Sequence, residues 1–139
     1  MTTFYERSYD MDIRFDKKKN IAYIKITGPT TSEEILKAFD ITVSSNEYKK
    51  GMGRLWDFTE ADLSSIGSYT IRKMAQYSLS FPPGINDVKV AFATNRTLEF
   101  GLSRMFQSVS GAKTPIQVFK TIEQAEKWMI EKENALGKQ

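Results

Sequence analysis

The chain contains no cysteine and no histidine. The first absence excludes disulfides, thiolate chemistry and cysteine-ligated zinc. The second removes the usual base of a catalytic triad, the commonest metal ligand and the side chain best suited to proton transfer near neutral pH. Long apolar runs are missing too, none approaching the roughly 18 residues that a membrane-spanning helix needs. No glycine-rich phosphate loop is present. Gly51-Met52-Gly53 precedes a strand-like stretch, whereas a phosphate-binding loop follows one. The nucleophile elbow G-x-S-x-G is also absent. No catalytic residue, metal ligand or cofactor is therefore expected.

What is present is an ordinary globular composition. Of 139 residues, 40% are hydrophobic and 27% charged, enough for one self-sufficient core. The net charge is only +3, with acids and bases interleaved. The basic runs Lys17-Lys18-Lys19 and Lys49-Lys50 are short and turn-like. A nucleic-acid partner would call for a longer basic stripe with stacking aromatics, so none is expected. Residues 1–10 are polar, carry Glu6, Arg7 and Asp10, and read as an N-terminal extension rather than a secretory signal. The rest, 11–139, reads as a single domain, with the cytoplasm as the expected compartment.

Hydrophobic spacing gives the elements. Met11–Asp16 and Ile21–Thr27 alternate as strands around the polar turn Lys17–Asn20, forming a hairpin. Gly28-Pro29 is expected to break the second strand. Thr31 and Glu34 make a capping box for a first helix whose buried stripe is Ile35, Leu36, Phe39 and Val43. Gly53–Phe58 is a third strand, followed by a polar loop, Thr59–Ser64. A helix from about Ser65 to Leu79 carries Ile66, Thr70, Met74, Tyr77 and Phe81 in its stripe, with Ile71 and Ala75 beside it, and ends at Pro82-Pro83-Gly84. Val88–Thr94 is the fourth strand. Thr97–Ser110 is a helix expected to bury Leu98, Leu102, Met105 and Val109 and to stop at Gly111. Ile116–Lys120 is the last strand. Thr121 caps the last helix, with Gln124 completing a second box, and Ile122, Ala125, Trp128 and Met129 face inward.

The order β-β-α-β-α-β-α-β-α predicts an α/β fold: an N-terminal β-hairpin leading into a mostly parallel sheet with right-handed crossovers. The strands alternate instead of running apolar throughout. One sheet face should thus be packed by helices and the other only partly covered.

This layout resembles the STAS-like domains related to bacterial anti-sigma-factor antagonists. The nearer likeness is to a branch that also resembles CRAL-TRIO lipid-binding domains. The residues carrying the likeness are Leu55-Trp56-Asp57 at a strand end, Phe100-Gly101-Leu102-Ser103-Arg104-Met105-Phe106, and Val118-Phe119 followed by Glu123 through Trp128. The resemblance spans Ile13 to Met129 and implies a β/α superhelix with neighbouring strands in sequence order. In regulatory members a serine at the start of the helix after the third strand is phosphorylated by a partner kinase. The matching stretch here is Asp62-Leu63-Ser64-Ser65-Ile66-Gly67, with Leu63 interposed between the aspartate and the serine pair. Ser64 and Ser65 are thus candidate phosphoacceptors. As plain chemistry they are expected to be helix caps, since a serine oxygen there accepts a free N–H. The lipid-binding likeness implies an apolar ligand pocket lined by aromatics such as Phe92, Phe119 and Trp128.

Two further groups of residues are candidates. Asn95, Arg96 and Thr97 open a helix at the carboxyl end of a strand, with Thr31 at another such end, where α/β sheets bind anions and other ligands. Phe100 falls opposite the apolar stripe of its helix, beside Arg104, and Ile41 is placed similarly on the first helix, which suggests a partner or homodimer surface. Asp57, Glu60 and Asp62 read as solvated loop acids. The sequence therefore points to a non-catalytic binding or regulatory module acting on a protein partner or a small apolar or anionic ligand. The alternatives are a lipid-type binding domain or a small enzyme that works without histidine.

Overall fold

Alternation decides which side of each strand is buried, and the two sides meet different partners. The structure, a computed structural model, describes the backbone of residues 3–7 and, with side chains, residues 11–82, 85–110 and 114–131. Its strands are β1 (Thr3–Arg7), β2 (Met11–Asp16), β3 (Ile21–Pro29), β4 (Gly53–Asp62), β5 (Val90–Ala93) and β6 (Ile116–Phe119). They form one six-stranded sheet in sequence order. β1, β2 and β3 pair antiparallel, and β3 through β6 pair parallel. The helices are α1 (Ser32–Ser44), α2 (Ser68–Leu79), α3 (Thr97–Ser110) and α4 (Ile122–Ile130). Among the described residues no helix is long and apolar enough to cross a membrane.

The main core lies between the sheet and α1, α2 and α3. Ile13, Phe15, Ala22, Ile24, Ile26, Trp56, Phe58, Val90 and Phe92 all point to this side. The alternate residues Ile21, Tyr23, Leu55, Ala91 and Ala93 point the other way, against Ala125 and Met129 of α4. One helix cannot cover six strands. The expectation of one fully packed face and one partly covered face therefore holds. At the margin of the covered part the Arg14 guanidinium lies 3.8 Å over the Tyr23 ring, and the Tyr23 hydroxyl donates to Glu126 of α4.

The element order holds with one addition and several altered boundaries. Thr3–Arg7 is a sixth strand, β1, within the stretch read as an extension. β3 runs through Gly28 to Pro29 instead of breaking there, helped by a register shift between Lys25 and Thr27 and by Gly28 at φ 76°. β4 likewise continues to Asp62, through part of the expected loop, because its extra residues pair with the end of β3. β5 is shorter than expected. Pro83-Gly84 and Gly111, expected to end α2 and α3, lie outside the described residues.

Both sequence-visible caps form. At α1 the Glu34 N–H donates to Thr31 Oγ1 at 3.2 Å and the Thr31 N–H donates to Glu34 Oε1 at 3.0 Å, a complete capping box. At α4 the Gln124 N–H donates to Thr121 Oγ1 at 3.0 Å, but no return bond from the Gln124 side chain to the Thr121 N–H completes the expected box. The cap expected from Ser64 or Ser65 does not form. α2 starts at Ser68 with Gly67 as its N-cap, and no side chain accepts a bond there. The serines serve the preceding turn instead: the Ser64 N–H donates to Asp62 Oδ1 at 2.9 Å, and Ser65 Oγ donates to Thr30 O at 3.0 Å. Hydrogen bonds from the Ser64 side chain and then from its N–H hold the Asp62 carboxyl below its ordinary pKa.

Helix α3 departs most from its pattern. Its bounds are as expected, but its buried residues are Glu99, Leu102, Ser103 and Ser110, while Leu98 is 47% exposed. The helix is thus rotated by about one residue from the phase its aliphatic side chains alone suggest. Ile41 also differs from expectation, since it packs against the main core.

Candidate functional site

The inward turn of α3 borders a cavity between α2, α3 and the sheet. Its floor is aromatic. Trp56, Phe58 and Phe92 point up from β4 and β5, with the Phe58 and Phe92 rings stacked at 5.7 Å and Phe106 of α3 edge-on to Phe92 at 5.5 Å. Ile71 and Met74 of α2 and Leu102 of α3 form the walls. The space open to the centres of water-sized molecules is about 70 Å³. On that measure one water needs about 10–15 Å³, and a dry cavity of about 150 Å³ admits benzene. The cavity as it stands takes a small branched group or the end of a longer chain.

Its polar residues are few and specific. Ser103 and Ser110 line it at 4% and 1% exposure, and neither Oγ has a hydrogen-bond partner among the described residues. Buried hydroxyls are ordinarily satisfied, so two on one helix facing one cavity mark the place. Thr114, Asn86, Ser78 and Arg54 also line it. Arg54 is only 3% exposed because strand alternation puts it on the same side of β4 as Trp56 and Phe58. Its Nη1 donates to Tyr48 Oη at 2.8 Å and to Ile85 O at 2.7 Å, and its guanidinium carbon lies 5.2 Å from the Phe39 ring centre. Burial pushes the Tyr48 hydroxyl up from its ordinary pKa, partly offset by the charge of Arg54.

Leu63, which follows β4, also lines the cavity. The Leu63 N–H donates to Glu99 Oε2 at 2.9 Å, and Arg96 Nε stands 3.6 Å from Glu99 Oε1. Arg96 Nη1 also donates to Ala61 O at 2.9 Å. The guanidinium considered for an anion site thus serves the chain's own loop and carboxylate. Asn95 and Thr97 are exposed beside it. Thr31 belongs to the capping box at the end of β3, separated from Arg96 by β4.

The other candidates fall apart spatially. Of the three aromatics suggested for a pocket, only Phe92 lines this cavity. Phe119 of β6 and Trp128 of α4, 5.7 Å apart, pack together on the other face. Phe100 is half-buried with Lys120 Nζ 5.6 Å from its ring centre, and Arg104 is exposed. α2 packs between their helix and α1, which carries Ile41. Asp57 Oδ1 accepts from Thr59, and Glu60 pairs with Lys25 at 3.3 Å, so these acids serve separate local partners. Among the described residues no group of three acidic side chains is placed to hold a metal ion. Sequence reasoning missed Arg54, Ser103, Ser110 and Glu99. Only Arg54 carried a signal, as a charge at an inward position of an alternating strand.

No protein-family model and no curated protein matches the chain. Among solved structures, it is similar to an uncharacterized protein of the DUF3478 family with a SpoIIAA-like fold from Shewanella loihica PV-4. The identity is 18%, 92% of each chain is covered and the TM-score is 0.50. The likeness is one of fold. The chain has a SpoIIAA-like α/β fold.

Proposed function

We propose that this domain is a non-catalytic binding module that takes a small, mainly apolar ligand between α2, α3 and the sheet. The observation that carries the reading is the phase of α3. That helix leaves Leu98 exposed and turns Ser103 and Ser110 inward without hydrogen-bond partners. The bond from the Leu63 N–H to Glu99 accounts for the rotation but not for the two unpartnered hydroxyls, and places where such a rule is broken without visible compensation are characteristically functional. Ligand pockets combine an apolar lining with a few convergent polar groups, as this cavity does. The likeness to lipid-binding domains drawn from the sequence points to the same class of occupant.

Methyl NMR on the full chain tests it, using linear and small branched alcohols as ligands. Saturable shifts are expected at Ile71, Met74 and Leu102, which line the cavity, and not at Ile21 or Ala125 on the other face. Replacing Ser103 with Leu, which fills the space, should abolish them. Shifts spread evenly over both faces, or none that saturate, would sink the reading.

A further inference from the structure

We infer that the occupant is an amphiphile with a monocarboxylate head, seated with its carboxylate on Arg54 and its apolar part on the Trp56–Phe58–Phe92 floor. This rests on the cavity being the binding site, and it adds the chemistry of the ligand. Arg54 is the one charged side chain among the residues lining the cavity. Arginine does not lose its proton in proteins, so the site holds a permanent, almost fully buried positive charge. A buried charge is costly unless an opposite charge and hydrogen bonds compensate it.

Compensation from the described residues is incomplete. The two Nη1 protons go to neutral acceptors, Tyr48 Oη and Ile85 O. Nη2 and Nε have no acceptor among the described residues, and no described carboxylate forms an ion pair with Arg54. Asp87 is near enough for its charge to raise the Tyr48 pKa, but it makes no such pair. The Phe39 ring supplies only a cation–π contact. Nη2 and Nε are the edge of the guanidinium that receives the two oxygens of a carboxylate side by side.

The neighbours fit the same head group. Asn86 follows Ile85, whose carbonyl holds Arg54, and its Nδ2 donates to Ser78 O at 2.9 Å. Thr114 N–H donates to Ser110 O at 3.2 Å, which ties together two more polar linings of the cavity. The unpartnered Ser110 hydroxyl is a donor for a ligand oxygen. A single cation balances a single negative charge. A phosphate monoester carries nearly two, and the lining offers no second cation for it.

Isothermal titration of the full chain at neutral pH tests this with hexanoate, 1-hexanol and hexyl phosphate, which share one tail. Hexanoate is expected to bind about tenfold or more tightly than 1-hexanol, the scale of a charge-assisted hydrogen-bond pair. Arg54→Met should remove that preference, and Arg54→Lys should restore only part of it. The wild-type comparison needs no variant, so it stands even if Arg54→Met unfolds. Equal binding of hexanoate and 1-hexanol overturns the head-group assignment and leaves the apolar cavity intact. Tighter binding of hexyl phosphate than of hexanoate overturns it in favour of a phosphate head. Binding of none of the three overturns both the assignment and the cavity reading.

Discussion

The Glu99 carboxylate of α3 accepts the Leu63 backbone N–H at 2.9 Å, with Glu99 only 1% exposed. One buried acid therefore anchors the loop that follows β4 and sets the rotation of the helix that flanks the cavity. It reaches across 36 residues of sequence.

Removing that acceptor should cost more than an ordinary surface change. Glu99→Ala leaves the Leu63 N–H unpaired in a buried place, which costs about 1–3 kcal/mol. Glu99→Gln keeps a carbonyl acceptor and should lose less. Urea melts of the two variants check this, and equal losses would mean that the charge of Glu99, rather than its bond to Leu63, matters.

The caps make a contrasting pair. Thr31→Ala breaks the box at α1 and should destabilise by about 0.5–2 kcal/mol. Gly67, the N-cap of α2, has extended backbone angles and open space where a Cβ would sit. Gly67→Asp should therefore stabilise, by a few tenths to about 1 kcal/mol, through a new cap and a less flexible unfolded chain. Thermal melts decide. A destabilised Gly67→Asp would show that this turn needs glycine for a reason other than space.

Most of the fold was legible because alternation and caps are local. Thr31-x-x-Glu34 announces α1 whatever surrounds it, and Ala22, Ile24 and Ile26 face away from Tyr23 in any sheet. The errors were tertiary. Ser64 and Ser65 read as caps because local chemistry allows it, but β4 runs to Asp62 by pairing with β3, and the serines are used in the turn after it. On α3, Leu98 and Glu99 compete for the inward position. Glu99 wins through a partner far away in sequence. Of the cavity, one of the three aromatic floor residues, Phe92, was visible. Its polar end was not, since Arg54, Asn86 and Ser110 lie in three separate segments.

The observed phase of α3 gives its two phenylalanines different weights. Phe106 meets Phe92 edge-on and packs against the main core, whereas Phe100 is half-buried beside Lys120. Phe106→Ala should approach the about 3–5 kcal/mol of a core truncation. Phe100→Ala should lose much less, since an exposed cation–π contact is worth about 0.5–1 kcal/mol. Denaturant melts of both variants rank them. A larger loss at Phe100 would show that Phe100, and not Phe106, is the core phenylalanine of α3.

Tyr23 and Glu126 give the stability a defined pH profile. Burial, then the hydrogen bond to Glu126, raises the Tyr23 pKa well above its ordinary 10.0. Glu126 falls below its ordinary 4.5, first through the hydrogen bond from Lys19, which is 2.9 Å away, and then through that from Tyr23. A depressed carboxylate stabilises fully above its unfolded pKa and less as pH falls through its folded value. A raised phenol stabilises fully below its unfolded pKa and less as pH rises from there toward its folded value. Tyr23→Phe removes the shared bond. The stability gap between wild type and Tyr23→Phe should therefore be flat between about pH 5 and pH 9 and narrow on both sides. Urea melts across that range measure it. A gap that stays constant into acid and alkali would show that the Tyr23 hydroxyl contributes packing alone.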